Sequence, residues 1–170
     1  MDLMARTGMQ RVITSLSIVG LVLAFGAQAA PPHDMPILTI HPVAEGAPHV
    51  LSLADLKAYP QRSVTGFIPD VDDQEAEWTG VSLASLLKGL GEPLPARLTA
   101  SAMDSYREAI PGSDLEVYDP IIAYQRNGEY LNISQRGPLV IMYPYGEHPE
   151  LLTRVFFSRT VWQLDELRLE

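Results

Sequence analysis

The chain has 170 residues, no cysteine, and a formal charge of −9 from 12 basic and 21 acidic side chains, a length that supports one domain with a sizeable core but not two. Without cysteine there is no disulfide, no thiolate for a metal and no cysteine nucleophile. A surface this acidic repels phosphate backbones, which argues against nucleic acid as a partner.

Arg6 and Arg11 precede a mostly apolar run over residues 12–27, and Ala27-Gln28-Ala29-Ala30 follows it. A basic start, an apolar middle and an Ala-x-Ala site define a secretory signal cleaved after Ala29. A membrane anchor would need about 20 apolar residues, and Thr14, Ser15 and Ser17 interrupt this run. The expected organisation is a signal over residues 1–29, a flexible proline-punctuated leader over 30–36 and one domain over 37–170. No transmembrane span is expected after cleavage. The two arginines are not adjacent, so the signal is of the general secretory type and places the protein in the periplasm. Subtracting Asp2, Arg6 and Arg11 leaves 10 basic against 20 acidic residues, and eight of those ten are arginines.

Residues 37–41 alternate as a first strand. Ser52 caps a short helix that Pro60 stops, and residues 61–67 return to extended chain. Residues 71–77 (VDDQEAE) read as a solvated acidic turn, since they lack the pattern of a calcium loop. Trp78 is expected in the core. Ser82 caps a second helix, with Leu83, Leu86, Leu87 and Leu90 at helical spacing and Gly89 and Gly91 at its end. Residues 97–103 form a strand, Asp104-Ser105 turns, and residues 106–110 lead back. Ser113 is expected to cap a helix over 114–118.

Residues 120–144 carry the most information. Ile121, Ile122 and Tyr124 form an apolar β-former run, Asn127-Gly128 turns, and Gly137-Pro138 leads into the continuous run Leu139-Val140-Ile141-Met142-Tyr143. Continuous rather than alternating, this second run is expected to be covered on both faces and to mark the centre of the core. Pro149 opens a brief helix over 149–157. Residues 161–169 alternate as a last strand, except that the alternation breaks at 163–165, where a β-bulge is expected.

The segments AYQRNGEYL and RGPLVIMYP, with Trp78-Thr79-Gly80-Val81-Ser82-Leu83 and Met103-Asp104-Ser105-Tyr106 upstream, resemble the sulfite-oxidase-type molybdopterin-binding domain family over residues 64–169. The resemblance implies an α+β fold: a single mixed-sheet domain with short helices between strands. It also implies an oxidoreductase cofactor held through a pterin dithiolene and one cysteine thiolate. Residues 63–67 lie where that cysteine is expected and read Ser-Val-Thr-Gly-Phe. Neither Ser63 nor Thr65 replaces a thiolate on soft molybdenum, and a general secretory route exports unfolded chains, so no cofactor is expected.

The family's pocket-lining loops gather Tyr106, Arg107, Arg136, Tyr143, Tyr145, His148, Arg154 and Arg159 as candidate ligand-binding residues for a small oxyanion or carboxylate; ordinary core tyrosines and surface ion pairs are the plainer account of the same residues. His33, His41 and His49, eight residues apart, could form a metal clamp with Met35, but they lack zinc-helix spacing. No Gly-x-Ser-x-Gly elbow occurs. Three readings follow. The first is an exported, cofactor-free binding or accessory protein for a periplasmic or membrane partner. The others are a molybdopterin-dependent oxidoreductase with a cysteine-free site, and a purely structural subunit.

Overall fold

A computed structural model describes residues 34–68, 72 and 74–170. The expected signal, most of the leader and His33 lie outside them. Among the described residues no helix is long and apolar enough to cross a membrane.

Among the described residues ten strands are interspersed with four short helices, in the α+β arrangement expected. The elements are β1 (Pro36–His41), β2 (His49–Ser52), α1 (Leu53–Lys57), β3 (Gln61–Gly66), β4 (Ala76–Ser82), α2 (Leu83–Gly89) and β5 (Arg97–Ala102). They continue with β6 (Arg107–Pro111), α3 (Gly112–Val117), β7 (Ile121–Arg126), β8 (Glu129–Tyr130), β9 (Val140–Met142), α4 (Arg154–Arg159) and β10 (Leu164–Leu169). The strands divide between two sheets. The first is mixed, in the order β2-β1-β10-β5-β6, with β1 and β10 parallel. The second is antiparallel, in the order β3-β4-β7-β8, and β9 pairs with β7 through Ile121↔Met142 to Ala123↔Val140.

The run at residues 139–143 joins the two sheets. Val140 bridges Trp162, the Ile141 amide donates to the Val161 carbonyl at 2.8 Å, and the Leu164 amide donates to the Leu139 carbonyl at 3.0 Å. Leu139 through Tyr143 are fully buried, which explains a run with no polar alternation. The hairpin between β7 and β8 turns on Asn127 and Gly128, both at positive φ, the conformation that a two-residue primed turn requires.

The helix starts follow local chemistry. Ser52 and Asp55 form a reciprocal capping box on α1, which satisfies amides that would otherwise have no partner. The Ser82 hydroxyl accepts from the Ser85 amide at 3.1 Å. Trp78 is 1% exposed, and its indole donates to the Gly66 carbonyl at 3.0 Å. A Cβ at Gly80 would sit 2.0 Å from the Ile122 carbonyl oxygen, so the close approach of β4 to β7 requires glycine there.

Three expectations are corrected. Helix α3 begins at Gly112 after Pro111 and has no side-chain cap; Ser113 is exposed. Gly112 sets the start instead, because its amide donates to the Ala96 carbonyl at 2.8 Å and the Pro95 carbonyl fills the space of a Cβ. The helix expected over 149–157 is a 3-10 turn, Pro149–Leu151, followed by the separate α4, because Thr153 is extended between them. Asp72 belongs to no solvated turn: its side chain is 5% exposed, accepts from the Ile68 amide at 2.7 Å and pairs with Arg126 at 3.0 Å. Asp70, Val71 and Asp73 lie outside the described residues. The break expected in the alternation of 161–169 is present, with the last strand itself starting at Leu164. Gln163 takes a positive φ and the register with β5 slips between Leu164 and Glu166, so Leu164, Leu167 and Leu169 all reach the core.

Candidate functional site

The eight residues that the family resemblance groups together do not share one cleft. Tyr143 and Arg159 meet on Asp114, a carboxylate on α3 that is itself 5% exposed. The Tyr143 hydroxyl donates to Asp114 Oδ2 at 2.7 Å and Arg159 Nη1 donates to the same oxygen at 2.9 Å. Tyr145 bonds Thr160 Oγ1 at 2.5 Å and the Phe156 carbonyl at 3.0 Å. These groups tie α3, β9 and α4 together in the interior.

The other five lie towards the surface. His148 packs edge-on against Tyr118 and bonds Glu150 at 3.0 Å. Tyr106, 44% exposed, bonds the Ser158 carbonyl and Glu108. Arg136 takes a left-handed backbone and lies 4.4 Å from the centre of the Trp162 ring. Arg107 and Arg154 are exposed and make no ion pair among the described residues.

Burial, followed by the Asp114 charge, holds the Tyr143 hydroxyl well above its ordinary range, with Arg159 opposing. Burial likewise raises Tyr145 from 10.0 to about 12. A proton held more tightly in the folded state contributes stability that is full below pH 10 and is lost as pH rises through the folded value. Spectrophotometric titration is therefore expected to show two tyrosines that stay neutral at pH 11 and ionise only as the protein unfolds in alkali. Ordinary titration of all seven tyrosines near pH 10 would remove this network from the interior.

Among the cavities described, a larger concavity than any these residues line lies elsewhere. It is a half-open groove of about 760 Å³ where the start of β1 and the start of β10 meet the turn after β5 and the segment 131–138. Its walls are Met35, Ile37, Met103, Leu131, Ile133, Pro138 and Leu164, and its polar groups come from Thr39, Asn132, Ser134, Asp165 and Glu166. It is bordered by the two loops that the resemblance assigns to the family's pocket, but none of the eight candidate residues lines it. Two sequence features mark the place without naming a groove: the broken alternation at 163–165, and apolar Ile133 between Asn132 and Ser134.

The donor set of the chain does not fit the cofactor that the resemblance implies. No cysteine exists anywhere in the sequence. Thr65, on the expected ligand strand β3, is exposed, and its carbonyl accepts from the Gly146 amide at 3.0 Å. Among the described residues no three His, Asp or Glu side chains converge as a metal site. His41 pairs with Glu166 at 3.5 Å and His49 with Glu92 at 2.9 Å, so these two do not converge with one another. The arginines that could meet phosphate are largely engaged by carboxylates. Arg62 pairs with Asp119 and Glu147, Arg126 with Asp72, Arg159 with Asp114, and Arg97 with Glu170.

A search among curated proteins finds no match. Solved structures share the fold, among them the crystal structure of the sulfane dehydrogenase SoxCD from Paracoccus pantotrophus, similar over 85% of this chain with a TM-score of 0.59 and 21% identity. The present chain spans 40% of the length of that one. Identity at this level speaks for the fold alone. Residues 37–146 match the family described as the oxidoreductase molybdopterin binding domain, well over half of the sequence, and the chain belongs to that family.

Proposed function

We propose that this chain is an exported member of its family that works by binding, as a periplasmic accessory protein, and without the metal cofactor. The observation that carries the reading is the absence of any thiolate donor in the whole sequence. In the sulfite-oxidase-type arrangement that the resemblance implies, molybdenum held by a pterin dithiolene takes its protein bond from a cysteine thiolate, and the expected strand offers only hydroxyls such as that of Thr65. The engaged arginines lend further support, since a phosphate-bearing cofactor would need them free. Of the four arginines proposed for a small anion, Arg159 is spent on Asp114 and Arg136 lies on Trp162, which leaves the exposed Arg107 and Arg154 without an ion pair among the described residues. The groove beside β10 is the site with room for a ligand, because its volume falls within the usual range for small-molecule sites, roughly 300–1,000 Å³.

Elemental analysis of protein purified from its native compartment tests the reading, together with fluorescence of oxidised pterin in the acid extract. Molybdenum well below one atom per chain and no pterin fluorescence are expected. Stoichiometric molybdenum with extractable pterin would establish the second reading, a cysteine-free oxidoreductase.

A further inference from the structure

Consecutive residues of a regular strand point to opposite faces. Asp165 and Glu166 are consecutive, yet both line the groove. The bulge at the start of β10 explains this, because the extra residue re-aims a side chain that would otherwise point away. Glu166 is partly engaged, by His41 at 3.5 Å and Arg168 at 3.3 Å. Asp165 makes no ion pair among the described residues, and partial burial, followed by the Glu166 charge, raises its pKa.

Among the described residues no lysine, arginine or histidine lines the groove. In the same lining, Met35, Met103 and Ile133 stand 57%, 52% and 60% exposed. Large apolar side chains grouped around a concavity mark a site that something covers, and methionine adapts its shape to an apolar partner. The acidic charge of the whole chain adds long-range attraction for a cation.

We infer that the groove binds an amphiphile with an apolar body and a cationic head, the body lying against Met103 and Ile133 and the head meeting Asp165 and Glu166. This rests on the reading of the chain as a binding protein. Anionic ligands of the same shape are disfavoured by the same two carboxylates.

Decylammonium and decanoate, titrated into the full-length protein by calorimetry below their micelle-forming concentrations, test it. Both share the apolar body and differ in the sign of the head. Decylammonium is expected to saturate one site about tenfold more tightly than decanoate, the factor left to half-exposed carboxylates after solvent screening. Added salt should narrow the difference. Asp165→Asn with Glu166→Gln should equalise the two ligands, while Ile133→Asp should weaken both; all three residues are at least partly exposed, so the fold is kept, and thermal melting checks it. In methyl spectra Met35 and Met103 are expected to move and the fully buried Met142 to stay. Equal affinity for the two ligands, or binding that Ile133→Asp leaves intact, overturns the inference and leaves the cofactor-free reading standing. Stoichiometric molybdenum overturns that reading whatever the titration gives.

Discussion

Replacing Trp78 with alanine is expected to destabilise the protein by roughly 3–5 kcal/mol, the range for removing a buried tryptophan. Trp78 occupies the middle of β4, in register with Val64 on β3 and Arg126 on β7. Its indole donates to Gly66, and Arg126 lies 5.4 Å from its ring centre while also holding buried Asp72. Alanine would therefore leave a cavity, an unpaired Gly66 carbonyl and a loosened ion pair, three costs at a point where three strands meet. Urea unfolding followed by circular dichroism measures the effect. A loss below about 1 kcal/mol would mean that the site collapses freely, and that the indole is not held as the geometry describes.

Asp114→Ala is expected to cost a similar amount, about 3–5 kcal/mol, by a different route. One carboxylate oxygen accepts from both Tyr143 and Arg159, and Arg159 Nε already lacks a hydrogen-bond partner in the interior. Removing the carboxylate strands a guanidinium that is 17% exposed, and an uncompensated buried charge costs more than the intact pair contributes. The double variant Asp114→Ala with Arg159→Met is therefore expected to recover most of the loss, because no charge remains to be compensated. Additive losses in the double variant would show that Asp114 acts through α3 packing alone.

Much of the local structure was legible in the residues themselves. Asn127-Gly128 named its turn, Ser52 and Ser82 named their helix starts, and the break at 163–165 named its bulge, because each depends on neighbours within a few residues. Ser113 shows where such reasoning fails. It is a good cap by type, but Gly112 packed against Pro95 sets the start of α3, and a contact across 17 residues leaves no local mark. The candidate site was less legible for the same reason. Arginine and tyrosine attract attention as ligand residues, but whether their polar atoms are free depends on which carboxylates arrive from elsewhere in the chain.

From the sequence alone came the family resemblance and, implied by it, the α+β class, together with the buried run at 139–143 and the missing thiolate, since these rest on residue type and order. Tertiary structure alone decided that the strands divide into two sheets seamed at Val140 and Trp162, that Asp114 takes up Tyr143 and Arg159, and that a bulge turns Asp165 and Glu166 into an apolar groove. Hydrogen-bond partners and cavities are made by segments far apart in the chain, and their meeting is fixed by how whole sheets pack, a quantity that no short stretch of residues encodes.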